Sequence, residues 1–281
     1  MNYYYKYKFK SEILEKNTDK IVDPASISKL YIAIYCLKKF SYQELSSNFL
    51  SLEAMIYKRN SYGTVRLQEE DVDREFSMKT LLEYMIADSC NIATGVLVKS
   101  ISPGKINQFI KDELHLYDST ILDRNNPSQN ITSINDLSSA IEKAILKEDY
   151  LEEKNREYLI KTLGLKRRRS ELCEKLSSLY PKYKYYYKCG LTLTGLRREL
   201  VIFGDERKID GYFILFQEIQ KRVLVPEENN QKIVRNKFYD ILCKDYMHTS
   251  KVKRFLCKKY TEIDFKRNTD KLLKELNGKI S

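Results

Sequence analysis

The sequence predicts a mixed α/β (α+β) fold in which an antiparallel sheet is flanked by helices and an all-helical lobe is inserted between its strands. Three observations predict it. Tyr, Phe and Lys alternate over residues 3–9 as on a half-exposed strand, and a second short strand follows at Glu12–Leu14. Apolar residues then recur at helical spacing as far as residue 164. Three more strands follow, so the sheet joins strands from opposite ends of the chain.

The elements between and after these strands are predicted by the same patterns. Pro24 marks a break, and Ser26–Phe40 is predicted to be a buried helix because its apolar residues recur at helical spacing. Further helices are predicted near 42–57, 78–87, 91–100, 104–113, 133–147 and 151–163, with a basic helix at Lys166–Leu179. The late strands are predicted at Tyr183–Lys188, Arg197–Phe203 and Gly211–Gln217, followed by a helix at Glu228–Tyr246.

The 281 residues are enough for one large domain. We predict that it spans residues 1–247. Within it, 1–40 and 165–247 form an α/β lobe, and 41–164 form the helical lobe. Residues 248–281 are interpreted as a basic C-terminal tail.

The net charge of +11 is concentrated in two short segments. Residues 161–188 contribute +7 and residues 248–281 contribute +6, so the rest of the chain is close to neutral. A basic total alone would suggest a nucleic-acid or membrane partner, but a charge this localised is more simply a solvated helix face, a tail or an anion-attracting rim. We therefore expect no nucleic-acid partner, and we interpret the segment before residue 188 either as a solvated face or as a rim that attracts an anionic substrate.

Several classes of protein are disfavoured by composition. The longest apolar run, Leu30–Leu37, has eight residues, short of the ~20 that a membrane helix needs. No secretory signal pattern follows Met1, so a cytoplasmic location is expected. No Gly-rich phosphate loop and no CxxC pair occur among nine glycines and six cysteines, so neither a nucleotide cofactor nor a metal is expected. A Ser-His-Asp triad would depend on one of the two histidines, His115 or His248.

A different nucleophile is better supported at the start of the buried helix. Ser26 and Lys29 are three residues apart, which places the hydroxyl and the amine on one face of the first turn. A lysine can accept a serine proton if burial and neighbouring positive charge depress its pKa. The alternative interpretation is an exposed capping serine beside a solvated lysine.

Two more motifs favour the catalytic interpretation. Ser89-Cys90-Asn91 lies at a junction between predicted helices, and Lys188-Cys189-Gly190 ends a predicted strand. In this order, the three motifs resemble the S-x-x-K, S-D-N and K-T/S-G signatures of the class A β-lactamases and penicillin-binding proteins. The resemblance covers about residues 3–246 and implies a β-lactamase/transpeptidase-like fold.

The resemblance implies catalytic roles for four residues. Ser26 would be the acylated nucleophile and Lys29 its proton acceptor. Ser89 would pass a proton to the leaving nitrogen, and Lys188 would supply positive charge beside Ser89.

It also implies substrate-binding positions. Asn91 would hold the substrate amide, and Gly190 belongs to the third motif. The backbone N–H groups of Ser26 and Leu191 would form an oxyanion hole. Arg197 falls where many class A enzymes place an arginine that binds a carboxylate.

Three departures from the family pattern limit what can be carried over. Cys90 replaces an Asp that braces its loop, and Cys189 replaces a hydroxyl donor. Asn126 stands where the class A glutamate that positions the deacylating water is expected, and an amide cannot act as a general base. Asp118 or Asp123 remains an alternative carboxylate for that step.

These features predict an enzyme that cleaves an amide, ester or β-lactam bond through acylation of Ser26, without a cofactor. The expected substrate is a small molecule, either anionic or carrier-linked. One alternative is an acyltransferase, or a penicillin-binding-like protein deficient in deacylation, since Asn126 favours both. A non-catalytic binding protein with the same fold is the third hypothesis.

Overall fold

The computed structural model describes residues 2–62, 66–122, 130–165, 167, 169–191, 195–205, 208–218 and 262–275. Its centre is a five-stranded antiparallel sheet in the order β2-β1-β7-β6-β5. The strands are β1 (Asn2–Phe9), β2 (Glu12–Lys16), β5 (Lys184–Leu191), β6 (Arg197–Gly204) and β7 (Ile209–Glu218). Strands from the two ends of the sequence are therefore paired, and the predicted fold class is confirmed.

The two faces of the sheet belong to two separate apolar clusters. Residues of β6 alternate between them, so that Leu200 and Ile202 pack toward the helical lobe while Val201 and Phe203 pack on the opposite face. Both faces are covered, which explains why β6 and β7 contain long apolar runs rather than an alternating pattern. Strand β5 forms one edge, and that edge meets the helical lobe.

The described part of the inserted lobe is mostly helical and also contains a small two-stranded sheet. Its helices are α1 (Lys29–Lys39), α2 (Tyr42–Ser47), α3 (Ala54–Asn60), α4 (Met78–Ile86), α5 (Asn91–Ile101), α6 (Pro103–Asp112), α7 (Ile134–Ile141) and α8 (Glu153–Leu163). A π-helix at Glu142–Leu146 extends α7, and a short 3-10 helix lies at Glu69–Asp71. Strands β3 (Phe49–Ser51) and β4 (Glu75–Ser77) pair antiparallel.

The single helix predicted at 42–57 is wrong. The chain leaves α2 at Asn48 and runs extended through β3 before α3 begins. Pairing with β4, which lies more than twenty residues further along the chain, overrides the local helical pattern. The predicted helix that opens at Ser26 is also modified, since Ala25–Ser28 forms a 3-10 turn that continues into α1.

Helix α9 (Glu171–Leu179) is shorter than the predicted Lys166–Leu179. Ser170 caps it by accepting a hydrogen bond from the Cys173 N–H (3.1 Å). The buried carboxylate of Glu199 accepts from Ser170 Oγ (2.7 Å) and from the Leu172 N–H (2.8 Å). A carboxylate at this helix N-terminus defines where the helix begins, and burial raises the pKa of Glu199 above its ordinary value.

A further helix, α10, spans 262–275 inside the segment that the sequence assigns to a tail. Phe265 is fully buried in the apolar cluster on the face of the sheet away from the helical lobe, and Leu273 belongs to the same cluster. Asp264 accepts hydrogen bonds from Tyr3 and from Gln217, which ties α10 to β1 and β7. The division at residue 247 stays a prediction. The helix predicted at 228–246 lies outside the described residues.

None of the helices in the described ranges has the length and apolar content that crossing a bilayer requires.

Candidate active site

The first two motifs meet at the amine of Lys29. Lys29 is 4% exposed, and its Nζ donates to Ser26 Oγ (3.1 Å) and to Asn91 Oδ1 (2.8 Å). It also donates to the backbone oxygen of Ser89 (2.9 Å) and contacts Ser89 Oγ (3.3 Å). One buried amine therefore touches both serine hydroxyls.

The third motif reaches the same group from the edge of the sheet. Lys188, on β5, is 2% exposed, and its Nζ donates to Ser89 Oγ (2.9 Å) and to the Cys189 backbone oxygen (3.3 Å). Ser89 Oγ thus lies between two lysine side chains. Burial and a neighbouring positive charge, the two conditions under which a lysine can act as a base, are both present around Lys29.

The turn that carries Ser26 lies directly on β5. A side chain added at Gly190 would place its Cβ 2.9 Å from the Ser26 backbone nitrogen and 3.2 Å from the Pro24 backbone oxygen. Both atoms belong to the backbone and cannot move aside as a flexible side chain could. The glycine of the third motif is therefore required by the close approach of the two chains.

We expect Gly190→Ala to reduce acylation of Ser26 strongly, by about 10²-fold, because displacing the nucleophile by ~1 Å is enough for such a loss. Gly104→Ala is the matched control, since a Cβ there meets nothing within 4 Å. The measurement is the rate of covalent labelling of each variant by a fluorescent penicillin or a serine-directed fluorophosphonate. Equal rates for the wild type and Gly190→Ala would contradict the prediction.

The Ser89 loop is held in part by contacts of the Cys90 thiol. Cys90 is fully buried, and its Sγ accepts from the Ala93 N–H (3.5 Å) at the start of α5 and from the Arg66 N–H (3.4 Å). The thiol therefore acts as the helix cap and as the link to the neighbouring loop. Ser89 has a positive φ of 58°, a conformation that surrounding contacts must support.

A charged cluster braces the same loop from outside. Arg167 donates to Asp88 (2.8 Å), the residue before Ser89, and to Glu83 (2.7 Å) on α4. Arg169 is paired in the same way with Glu174 (2.9 Å). Each of these two arginines of the predicted positive rim is thus balanced by a carboxylate, which favours a structural role over attraction of an anion.

The predicted substrate-binding positions fall in two places. Asn91 lies beside Lys29, and its Nδ2 donates to the Tyr62 backbone oxygen (2.7 Å). Leu191 follows Gly190 on the edge strand and is 52% exposed. Asn91 therefore borders the group around Ser26, whereas Leu191 lies one residue beyond the glycine that approaches the Ser26 turn.

Arg197 is not part of that group. The register pairs Leu191 with Arg197 and Cys189 with Glu199, so these side chains share the face opposite to Lys188. The Arg197 guanidinium donates to Glu199 (3.3 Å) and to Glu262 of α10 (3.2 Å). Carboxylate binding by Arg197 stays a prediction, and a substrate carboxylate would compete with these two acidic side chains.

The predicted deacylation position, Asn126, lies outside the described residues, as do Asp123 and His248. Asp118 donates its N–H to Asp136 (2.8 Å) in a turn of the helical lobe. His115 is exposed, and no hydrogen bond between described residues joins it to Ser26. Among the residues whose positions are described, no group of three or more His, Cys, Asp or Glu side chains is arranged to hold a metal ion.

The arrangement of the three motifs, in which Lys29 and Lys188 both contact Ser89 Oγ, agrees with the comparison to known proteins. The family described as the beta-lactamase enzyme family matches residues 1–235. The chain belongs to this family. The match supports an enzyme of the serine hydrolase type, which was the general kind of function predicted from the motifs.

Solved structures of beta-lactamase-like proteins share the fold. A beta-lactamase from Sphaerobacter thermophilus DSM 20745 is 17% identical with a TM-score of 0.63, over 76% of this chain and 81% of that one. PBP-A is 17% identical with a TM-score of 0.63, over 76% and 79%. The L2 protein complexed with relebactam is 13% identical with a TM-score of 0.65, over 76% and 81%. A search among curated proteins finds no significant match.

Two parts of the site were not found from the sequence. Arg198 and Asp23 contact each other beside the turn that carries Ser26 although they are 175 residues apart. The brace from Arg167 to Asp88 joins residues 79 apart. Neither pair belongs to a motif, and a single sequence gives no signal for contacts between such distant positions.

Proposed function

We propose that this beta-lactamase-family protein cleaves an amide, ester or β-lactam bond through an acyl-enzyme on Ser26. The observation that carries the proposal is the position of Lys29 Nζ, 3.1 Å from Ser26 Oγ and 3.3 Å from Ser89 Oγ. These distances are within the reach that proton transfer between side chains requires.

The geometry supports a complete path for one proton. Ser26 Oγ attacks the carbonyl carbon while Lys29 takes the hydroxyl proton. When the tetrahedral intermediate collapses, the bond to the leaving nitrogen or oxygen breaks. Ser89 donates its hydroxyl proton to that leaving atom, and Lys29 returns the first proton to Ser89 Oγ. Lys188, 2.9 Å from the same oxygen, stabilises negative charge that develops there.

The oxyanion is proposed to bind the backbone N–H groups of Ser26 and Leu191. The approach of Gly190 to the Ser26 nitrogen supports this pairing, because Leu191 is the next residue on the same edge strand. Two N–H groups held by a sheet and a turn need no rearrangement during the reaction, which makes their stabilisation of the oxyanion effective.

β-Lactams are the first substrates to test, as a mutant of PBP-A has been solved as an acyl-enzyme complex with penicillin G. A second candidate is an acyltransferase, or a protein that retains its acyl group. The sequence favours it at one position, since Asn126 stands where the family places the deacylating glutamate. Loss of a general base typically slows a step by ~10²–10⁴-fold.

The test is to mix the full-length protein with a chromogenic cephalosporin or a fluorescent penicillin and to follow the intact mass. We expect an adduct of one acyl group per chain. Rapid loss of the adduct with release of product supports the hydrolase, whereas a persistent adduct supports the second candidate. Adding a small primary amine or thiol then separates transfer from retention. Absence of an adduct with lactams, activated esters and fluorophosphonates would overturn both.

A further inference from the structure

Arg198 is a buried cation beside the turn that carries the nucleophile. It is 1% exposed, and its guanidinium lies over the ring of Phe216, 5.2 Å from the centroid. Its Nε donates to the Asp23 backbone oxygen (2.8 Å), and another guanidinium nitrogen donates to Glu218 Oε2 (2.9 Å). Arg198 thus connects the end of β7 to the segment that precedes Ser26.

Asp23 continues this connection to the residue next to the nucleophile. Its Oδ1 accepts a hydrogen bond from the Ala25 N–H (2.7 Å). Burial raises the pKa of Asp23, while the Ala25 N–H and the positive charge of Arg198 act in the opposite direction. The chain of contacts therefore runs from Glu218 through Arg198 and Asp23 to Ala25.

Ala25 has a φ of +48°, in the left-handed region that residues with a side chain rarely adopt. Such a conformation persists only where neighbouring contacts hold it. Here Asp23 binds the N–H of Ala25, and Ser28 Oγ binds its carbonyl oxygen (2.8 Å). Releasing Asp23 would let Ala25 relax to an ordinary conformation and rotate the Ser26 N–H away from β5.

Stability alone is a weak reason for burying this charge. Replacing a buried ion pair by apolar side chains of similar size is often neutral or stabilising. Apolar packing could therefore supply the stability that this pair gives to the fold. Its distinctive contribution is directional, because a planar guanidinium can hold two acceptors at fixed angles.

We propose that Arg198 is a positioning residue that fixes the turn 23–26, and with it the hydroxyl and the N–H of Ser26, against the edge of the sheet. Its effect on acylation rests on the proposed function of Ser26. Its effect on the turn does not, and the two are measured separately.

The test compares the full-length wild type with Arg198→Lys, which keeps the positive charge but cannot hold both acceptors in the same geometry. Arg156→Lys is the matched control. Arg156 is also buried, at 6% exposure, and its Nε also donates to a backbone oxygen, that of Ile145 (2.7 Å), but it lies on α8. For each protein, the acylation rate is measured over a range of fluorescent penicillin concentrations, and exchange of the Ser26 and Ile27 amide hydrogens is measured by NMR.

We expect Arg198→Lys to lower the limiting acylation rate about 10- to 100-fold, the loss typical of a small misplacement, with little change in the half-saturating concentration. Amide exchange at Ile27, whose N–H donates to the Pro24 backbone oxygen (3.1 Å) across this turn, is expected to accelerate in this variant and not in the control. If Arg198→Lys fails to fold, Glu218→Gln is used, which keeps Arg198 and weakens one of its two anchors. The same losses, smaller in size, are then expected.

The outcomes separate the two proposals. A wild type that no acylating probe labels overturns the proposed function, and exchange at the Ile27 amide then decides the role of Arg198 alone. Unchanged exchange and unchanged acylation in Arg198→Lys would overturn the positioning role. So would an equal loss in Arg156→Lys, because that would reflect a general loss of stability.

Discussion

The Ser26→Ala variant is expected to form no covalent adduct with any acylating probe, a loss of at least ~10³-fold in labelling rate. The physical reason is simple: the substitution removes the oxygen that would carry the acyl group. Ser26 is half-buried, and Lys29 is the donor to its hydroxyl. The fold should therefore survive, which thermal unfolding of both proteins would show. Intact mass after incubation with a fluorescent penicillin or a fluorophosphonate measures the adduct directly.

Cys189→Ser is the matched control for this experiment. Cys189 lies on the same edge strand as Lys188, is partly exposed, and is the first alternative nucleophile. We expect Cys189→Ser to label at a rate close to that of the wild type. Labelling that survives in Ser26→Ala and disappears in Cys189→Ser would move the nucleophile to the thiol and would contradict the proposed function.

The catalytic motifs could be located from the sequence because each of them is local. Ser26 and Lys29 lie one turn apart, and a 3-10 turn leading into a helix brings their side chains together whatever surrounds them. Ser89 and Asn91 flank the start of α5 in the same way. That the three motifs would meet at Ser89 Oγ could be expected only from the family resemblance, since no local pattern relates positions 29, 89 and 188.

The fold class could also be predicted, because the periodicity of apolar residues indicates the order of strands and helices. The predicted bounds of helices and strands were wrong where contacts with distant parts of the chain determine them. Strand β3 exists because Phe49–Ser51 pairs with Glu75–Ser77, and α9 begins at Glu171 because Glu199 from β6 caps it. The hydrogen bond from Arg198 to Asp23 also joins distant parts of the chain. No rule based on sequence spacing predicts that the charged Arg198 side chain is buried there.

The Lys29→Met variant is expected to acylate about 10²–10⁴-fold more slowly than the wild type, the usual loss when a general base is removed. Met has a similar length and is unbranched, so it can occupy the buried space that the lysine stem leaves. The hydroxyls of Ser26 and Ser89 would then lose the group that joins them. The variant would lack both the acceptor of the Ser26 proton and the donor that returns a proton to Ser89 Oγ. We therefore expect the largest loss of acylation rate after that of Ser26→Ala.

Lys143→Met is the matched control, because Lys143 donates to two backbone oxygens, those of Glu113 (2.9 Å) and Leu114 (3.3 Å), but lies in the helical lobe outside the site. The measurement is the acylation rate of all three proteins at one pH, with thermal unfolding of each protein as the check on folding. Lys143→Met should keep the wild-type rate. If Lys29→Met also kept the wild-type rate, another group would have to accept the Ser26 proton, whereas equal losses in both variants would point to unfolding rather than to chemistry.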